Sequence, residues 1–184
     1  MKRFFLFVLV FAAIFYSCSK EQDFNINYNA EKLSDIELPS LPNRSSTDTM
    51  TFNIAENPEI AENINQITSY SIKELQFSIS DFIGNDTTTG MLSFYFINSS
   101  DQSLFPYLLS LDVNYADLAA SGGKVNILKP QNIVDEMEAY LLVNNELTIA
   151  VGSGWQTDSL GPDSIEPVNF TGHISISVDA IGTK

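Results

Sequence analysis

The chain has 184 residues, 44% of them hydrophobic, and its 23 Asp and Glu against 9 Lys and Arg give a formal net charge of −14. That balance repels polyanions, so it excludes nucleic acid as a partner and excludes membrane contact through a basic patch. One cysteine and one histidine leave no disulfide framework and no Cys/His metal cluster, and no cofactor motif is present. The length fits a single domain.

Lys2 and Arg3 precede an apolar run over residues 4–16. A membrane-spanning helix needs about 20 apolar residues, so this shorter run matches the core of a secretory signal instead. Cys18 follows the small residue Ser17 where the run stops. The segment resembles the lipobox of bacterial lipoproteins, in the looser form found in Bacteroidota, since Phe15 and Tyr16 are bulkier than the usual Leu-Ala pair. The resemblance covers about the first two dozen residues. It implies a signal peptide over 1–17, diacylglycerol and palmitate on Cys18, and an outer-membrane, lipid-anchored protein. The charged stretch 19–23 looks like a signal for display at the cell surface. Each buried acyl CH₂ contributes about 0.8 kcal/mol, so two or more chains hold a protein stably on a bilayer.

Residues 18–48 read as the lipidated cysteine followed by a flexible tether. They are poor in large apolar side chains and contain Pro39, Pro42 and the polar stretch "PNRSSTDT". As a coil, such a segment spans roughly 30 Å. Only residues 36–38 offer a short extended stretch able to pair.

A β domain is expected over 49–184. "TMTFNIA" reads as its first strand, and Asn57-Pro58 offers an N-cap and first-turn proline for a short helix. In "SYSIKELQFSIS" the apolar phase changes near Lys73 and Glu74, the mark of a β-bulge. "GMLSFYFIN" is apolar on both faces and reads as a central strand. Leu109, Leu111 and Val113 alternate, Asn114 caps a helical turn ending before Gly122-Gly123, and "KVNIL" is a short strand. Ile133, Met137, Tyr140 and Leu141 form one face of a helix, and Leu147, Ile149 and Val151 alternate again. From Val168 to Ala180 the period of two is strict, the signature of a strand with one buried face. Together these elements predict a mainly β, immunoglobulin-like β-sandwich of about seven strands with one or two short helices.

Few residues invite chemistry. His173 shares a strand face with Ser175, Ser177 and Asp179, but same-face neighbours stand about 6.6 Å apart and cannot make a triad within one strand. Partners from other strands are not named by the sequence. "GSGW" at 152–155 lacks the residues of a phosphate loop and of a nucleophile elbow, so its glycines point to close backbone approach or a bulge. Trp155, the single tryptophan, is the candidate binding residue because indoles stack on sugars and anchor partners, although capping a sandwich core is as common a role. Asp158, Asp163 and Glu166 share a loop without EF-hand spacing, whereas Asp135, Glu136 and Glu138 read as a solvated helix face. Asp48, Asp86, Asp158 and Asp163 each precede Ser or Thr in a pattern similar to Bacteroidota glycosylation sites, implicating Thr49, Thr87, Ser159 and Ser164. The expectation is a non-catalytic envelope module that binds a glycan or a protein. The alternative is a carrier holding a lipid or other apolar ligand inside the sandwich.

Overall fold

The computed structural model describes residues 22–38, 45–97, 104–128, 130–155 and 167–183, with the side chains of 104–108 and 155 outside that description. Eight strands follow in order: β1 (Asp23–Leu38), β2 (Ser45–Asn53), β3 (Ile67–Ile83), β4 (Thr89–Ile97), β5 (Leu104–Asn114), β6 (Val125–Asn126), β7 (Glu146–Trp155) and β8 (Val168–Thr183). Three helices join them: α1 (Pro58–Asn63), α2 (Tyr115–Ser121) and α3 (Gln131–Asn144). Among the described residues, no helix is long and apolar enough to cross a membrane.

The strands form two four-stranded antiparallel sheets, sheet A in the order β1-β8-β3-β6 and sheet B in the order β2-β7-β4-β5. The mainly β sandwich is therefore as the alternation predicts. Its connectivity differs from the immunoglobulin-like one: the chain changes sheet at every step except β4 to β5, which is the winding of an eight-stranded jelly roll.

The strand count differs as well, by one strand on the N-terminal side. Residues 23–38, expected to be tether, pair with β8 along their whole length, from Asp23 opposite Thr183 to Leu38 opposite Val168. Ile26, Tyr28, Ile36 and Leu38 of β1 are buried. "TMTFNIA" is thus the second strand, and the sheet order shifts accordingly.

Alternation decides which face each residue takes. Along β8, Val168, Phe170, Ile174, Ile176 and Val178 are buried while the residues between them are partly exposed. The bulge in β3 falls between Ile72 and Glu74, where the apolar phase changes. Phe52, Phe77 and Phe94 have no exposed surface, and the rings of Phe77 and Phe94 meet edge to face at 5.0 Å. Burying each such side chain stabilises the fold by about 1.5–3 kcal/mol. These rings fill the space between the sheets.

The helices form where the caps place them. Asn57 Oδ1 accepts from the Glu59 and Ile60 N–H groups at 2.9 and 3.3 Å, with Pro58 opening α1. Asn114 Oδ1 accepts from Asp117 N–H at 2.9 Å, and α2 ends at Gly122 with φ 58°. That left-handed conformation suits glycine. Helix α3 buries Ile133, Val134, Met137 and Leu141. Its Glu138 is not merely solvated: Oε1 accepts the Ile72 N–H at 2.8 Å, covering a stretch of the β3 edge.

Candidate functional site

The two outer faces of the sandwich differ in kind. On sheet A the outward row of β8 (Thr171, His173, Ser175, Ser177 and Asp179) lies between the outward rows of β1 and β3. These side chains bond to one another. Asp179 accepts from Asn27 Nδ2 at 3.0 Å and from Asn25 Nδ2 at 3.2 Å, and Lys73 Nζ lies 3.6 Å away. The Asn27 and Asn25 hydrogen bonds, then the Lys73 charge, hold the Asp179 carboxyl below the usual aspartate range. Thr171 Oγ1 donates to Asp35 Oδ1 at 3.0 Å.

His173 does find partners on other strands. Its Nδ1 lies 3.1 Å from Glu31 Oε1 on β1, and its Nε2 lies 2.7 Å from Ser80 Oγ on β3. Serine, histidine and carboxylate are therefore in line, but the protons run the wrong way for a nucleophile. Ser80 Oγ donates to Asp81 Oδ2 at 2.8 Å, and a carboxylate only accepts. With its single proton committed there, Ser80 Oγ has none to give to Nε2. A ring that receives no proton from a serine does not activate it as a nucleophile. The array ties three strands together instead.

Two depressions mark the same face. One of about 340 Å³ lies over Ser175 and Ser177, bordered by Glu31, Glu74 and Lys124. The other, of about 330 Å³, includes Asp35, Glu37, Asp81 and Asn169, and the Asn169 Oδ1 is buried with no hydrogen-bond partner among the described residues. Among those residues, no group of three or more His, Cys, Asp or Glu side chains is placed to hold a metal.

Sheet B carries a trough of about 250 Å³ with a different lining. Gly152 and Gly154 sit on the outward phase of β7, facing Thr47 and Ser45 of β2 on one side and Ser93 and Met91 of β4 on the other. Two missing side chains leave bare backbone as the floor. A Cβ on Gly152 would stand 3.5 Å from Tyr95 Cε2 and 3.8 Å from Thr47 Oγ1, so an aromatic wall faces a hydroxyl rim across the gap. Ser153 lies between the two glycines on the inward phase of β7, is 3% exposed, and keeps its Oγ on the core side without a partner among the described residues. A buried hydroxyl of that kind normally finds a partner.

The floor is held from beneath. Tyr115 is fully buried, and its hydroxyl donates to Gly154 O at 3.0 Å. Burial pushes the Tyr115 phenol well above its ordinary range. Gly90 permits this approach, because a Cβ there would lie 2.2 Å from Gly154 O and 2.5 Å from the Tyr115 hydroxyl oxygen.

The sequence candidates fall unevenly on this frame. Cys18, the loop acids Asp158, Asp163 and Glu166, and the candidate glycosylation residues Ser159 and Ser164 lie outside the described residues. The Trp155 backbone closes β7 opposite Gly90, directly after the trough, while its side chain is outside the description. Thr49 is exposed on β2, and Thr87 bonds to Asn85 in the turn before β4. Asp135 accepts from Gln131 on the outer side of α3. Sequence reasoning missed Tyr95, Met91 and the role of Gly152. The available signal was two glycines spaced by two in an alternating strand, which must open one face of it.

No protein-family model matches the chain, and no curated protein matches it. Solved structures that resemble it include the decameric BFDV capsid protein, at 10% identity over 85% of this chain and 99% of that one with a TM-score of 0.48. Desmodium yellow mottle tymovirus matches at 12% identity over 89% and 90% with a TM-score of 0.39. Turnip yellow mosaic virus matches at 9% identity over 89% and 96% with a TM-score of 0.38. Likenesses this distant say nothing about what the chain does.

Proposed function

We propose that this is a lipid-anchored protein of the cell envelope, held in the outer membrane and displayed at the cell surface by acyl chains on Cys18. Its sandwich is a non-catalytic module that binds a partner in the trough over Gly152 and Gly154. The observation that carries the binding role is the trough itself: two outward glycines bare the floor, Tyr95 walls it, and Ser45 and Thr47 rim it. The anchor is supported by the pattern of residues 2–18. A non-catalytic role is supported by the Ser80 proton, which is committed to Asp81. A ligand carried between the sheets is the weaker reading, since Phe52, Phe77 and Phe94 occupy that space.

Two measurements test this. Radiolabelled palmitate should enter the wild-type protein and not Cys18→Ala, which should leave the membrane fraction. Unchanged fractionation of Cys18→Ala would refute the anchor. Purified protein titrated against glycan and envelope-protein panels should bind a member of one panel and lose it in Gly152→Val. Binding indifferent to that substitution would place the ligand elsewhere.

A further inference from the structure

We infer that the trough on sheet B takes an uncharged sugar ring, one pyranose unit of a neutral polysaccharide, with its apolar face on Tyr95 and its hydroxyls on the Ser/Thr rim. The inference rests on the trough being the ligand site and adds the chemistry of the ligand.

The first argument is charge. The chain carries a net −14, yet none of the nine residues lining the trough is ionisable at neutral pH. Recognition of a charged ligand depends on complementary charge across the interface. Both depressions on sheet A are edged with carboxylates, so the neutral lining of sheet B is a local departure from the rest of the surface.

The second is shape. At about 250 Å³ the trough falls below the roughly 300–1,000 Å³ of pockets for drug-sized molecules, which leaves room for one ring. A flat floor of backbone with one aromatic wall accepts a flat, rigid ligand edge-on to the sheet. The walls differ as the two aspects of a sugar do. Tyr95 and the exposed Met91 present apolar surface, whereas Ser45 and Thr47 present hydroxyls that both donate and accept. Aromatic rings combine an apolar face with fixed geometry, which suits the C–H face of a sugar.

The third argument weighs against a peptide strand. Strand addition requires an open sheet edge, and β7 is an interior strand bonded to both β2 and β4. The trough offers no backbone ladder to extend.

The test uses the full-length protein solubilised in detergent, run through native gels cast with neutral polysaccharides (dextran, mannan, xylan) or anionic ones (alginate, heparin). At least one neutral polysaccharide should retard it, to the same degree in 50 and 500 mM NaCl. Tyr95→Ala should weaken that retardation at least tenfold and Tyr95→Phe should keep most of it. Gly152→Val should abolish it, with Gly152→Ala as a milder filling variant whose fold is checked by circular dichroism. Retardation by anionic polysaccharides alone, no retardation by any neutral one, or neutral binding untouched by Tyr95→Ala and Gly152→Ala would each overturn the inference. Capture of an envelope protein that Gly152→Val abolishes, without neutral-glycan binding, would refute the sugar while leaving the binding module standing.

Discussion

The outer faces of sheets A and B both carry polar side chains and use them in opposite ways. On sheet A, Asn25, Asn27, Glu31, Asp35, Ser80, Thr171, His173 and Asp179 spend their donors and acceptors on one another across three strands. On sheet B, Thr51 and Thr148 pair at 2.8 Å and Ser93 and Ser110 at 3.1 Å, but the row between them is emptied by Gly152 and Gly154. Polarity alone therefore does not mark a binding face. On the proposed binding face, polar side chains border positions that lack them.

If that contrast holds, substitutions on the two faces should separate stability from binding. The largest effect is expected beneath the trough. Gly90→Ala would press a methyl group against Gly154 O and the Tyr115 hydroxyl, and overpacking of this severity should cost about 3 kcal/mol, read by urea denaturation. Next, Tyr115→Phe removes the hydroxyl that holds Gly154 O and should cost about 1–2 kcal/mol, with weaker ligand binding. Its pH dependence is specific. A phenol whose ionisation is raised in the folded state stabilises fully below about pH 10 and loses that contribution as pH climbs through the folded value. Tyr115→Phe should flatten that alkaline decline, and an unchanged decline would assign it to other groups.

On sheet A, His173→Ala removes the bonds to Glu31 and Ser80 and should cost about 1 kcal/mol while leaving trough binding unchanged. A loss of binding in this variant would break the division of labour between the faces. A smaller effect is expected from Asn27→Ala, full at neutral pH and lost in acid. Because Asp179 ionises more readily when folded, its contribution is complete above about pH 3.9 and fades as pH falls through the lowered value. Removing Asn27, the strongest hold on it, should make stability fall less steeply in that range. The smallest change belongs to Gly152→Ala. Its methyl would meet only ordinary contacts, so stability should stay within about 0.5 kcal/mol while the trough narrows.

Most elements were legible because local pattern and packing agree. The unbroken alternation of β8, the phase change at Lys73 and Glu74, and the Asn57-Pro58 and Asn114 caps each had a local cause that the fold keeps. β1 was not legible. Its inward row runs Ile26, Tyr28, Ala30, Lys32, Ser34, Ile36, Leu38, so the apolar phase lapses at Lys32 and Ser34. Its outward Asn and Asp residues also disfavour strands. What makes it a strand is its neighbour β8, sixteen residues of matching length that only the tertiary fold supplies. Ser34 is buried and donates to Asp48 of β2, which accounts for one of the lapses. The trough was hidden for a similar reason: Tyr95 and Gly152 are brought side by side by register, which no local window contains.

β1 also fixes a dimension. With acyl chains on Cys18, only five residue steps separate the bilayer from Asp23, a reach of at most about 18 Å. From there sixteen strand residues climb roughly 50 Å to Leu38. β1 and β2 lie against each other, and Ser45 of β2 faces Gly154 of the trough. The ligand would thus be met no farther from the bilayer than that short reach plus the length of the strand, a closer bound than a loose leash over residues 18–48 would give.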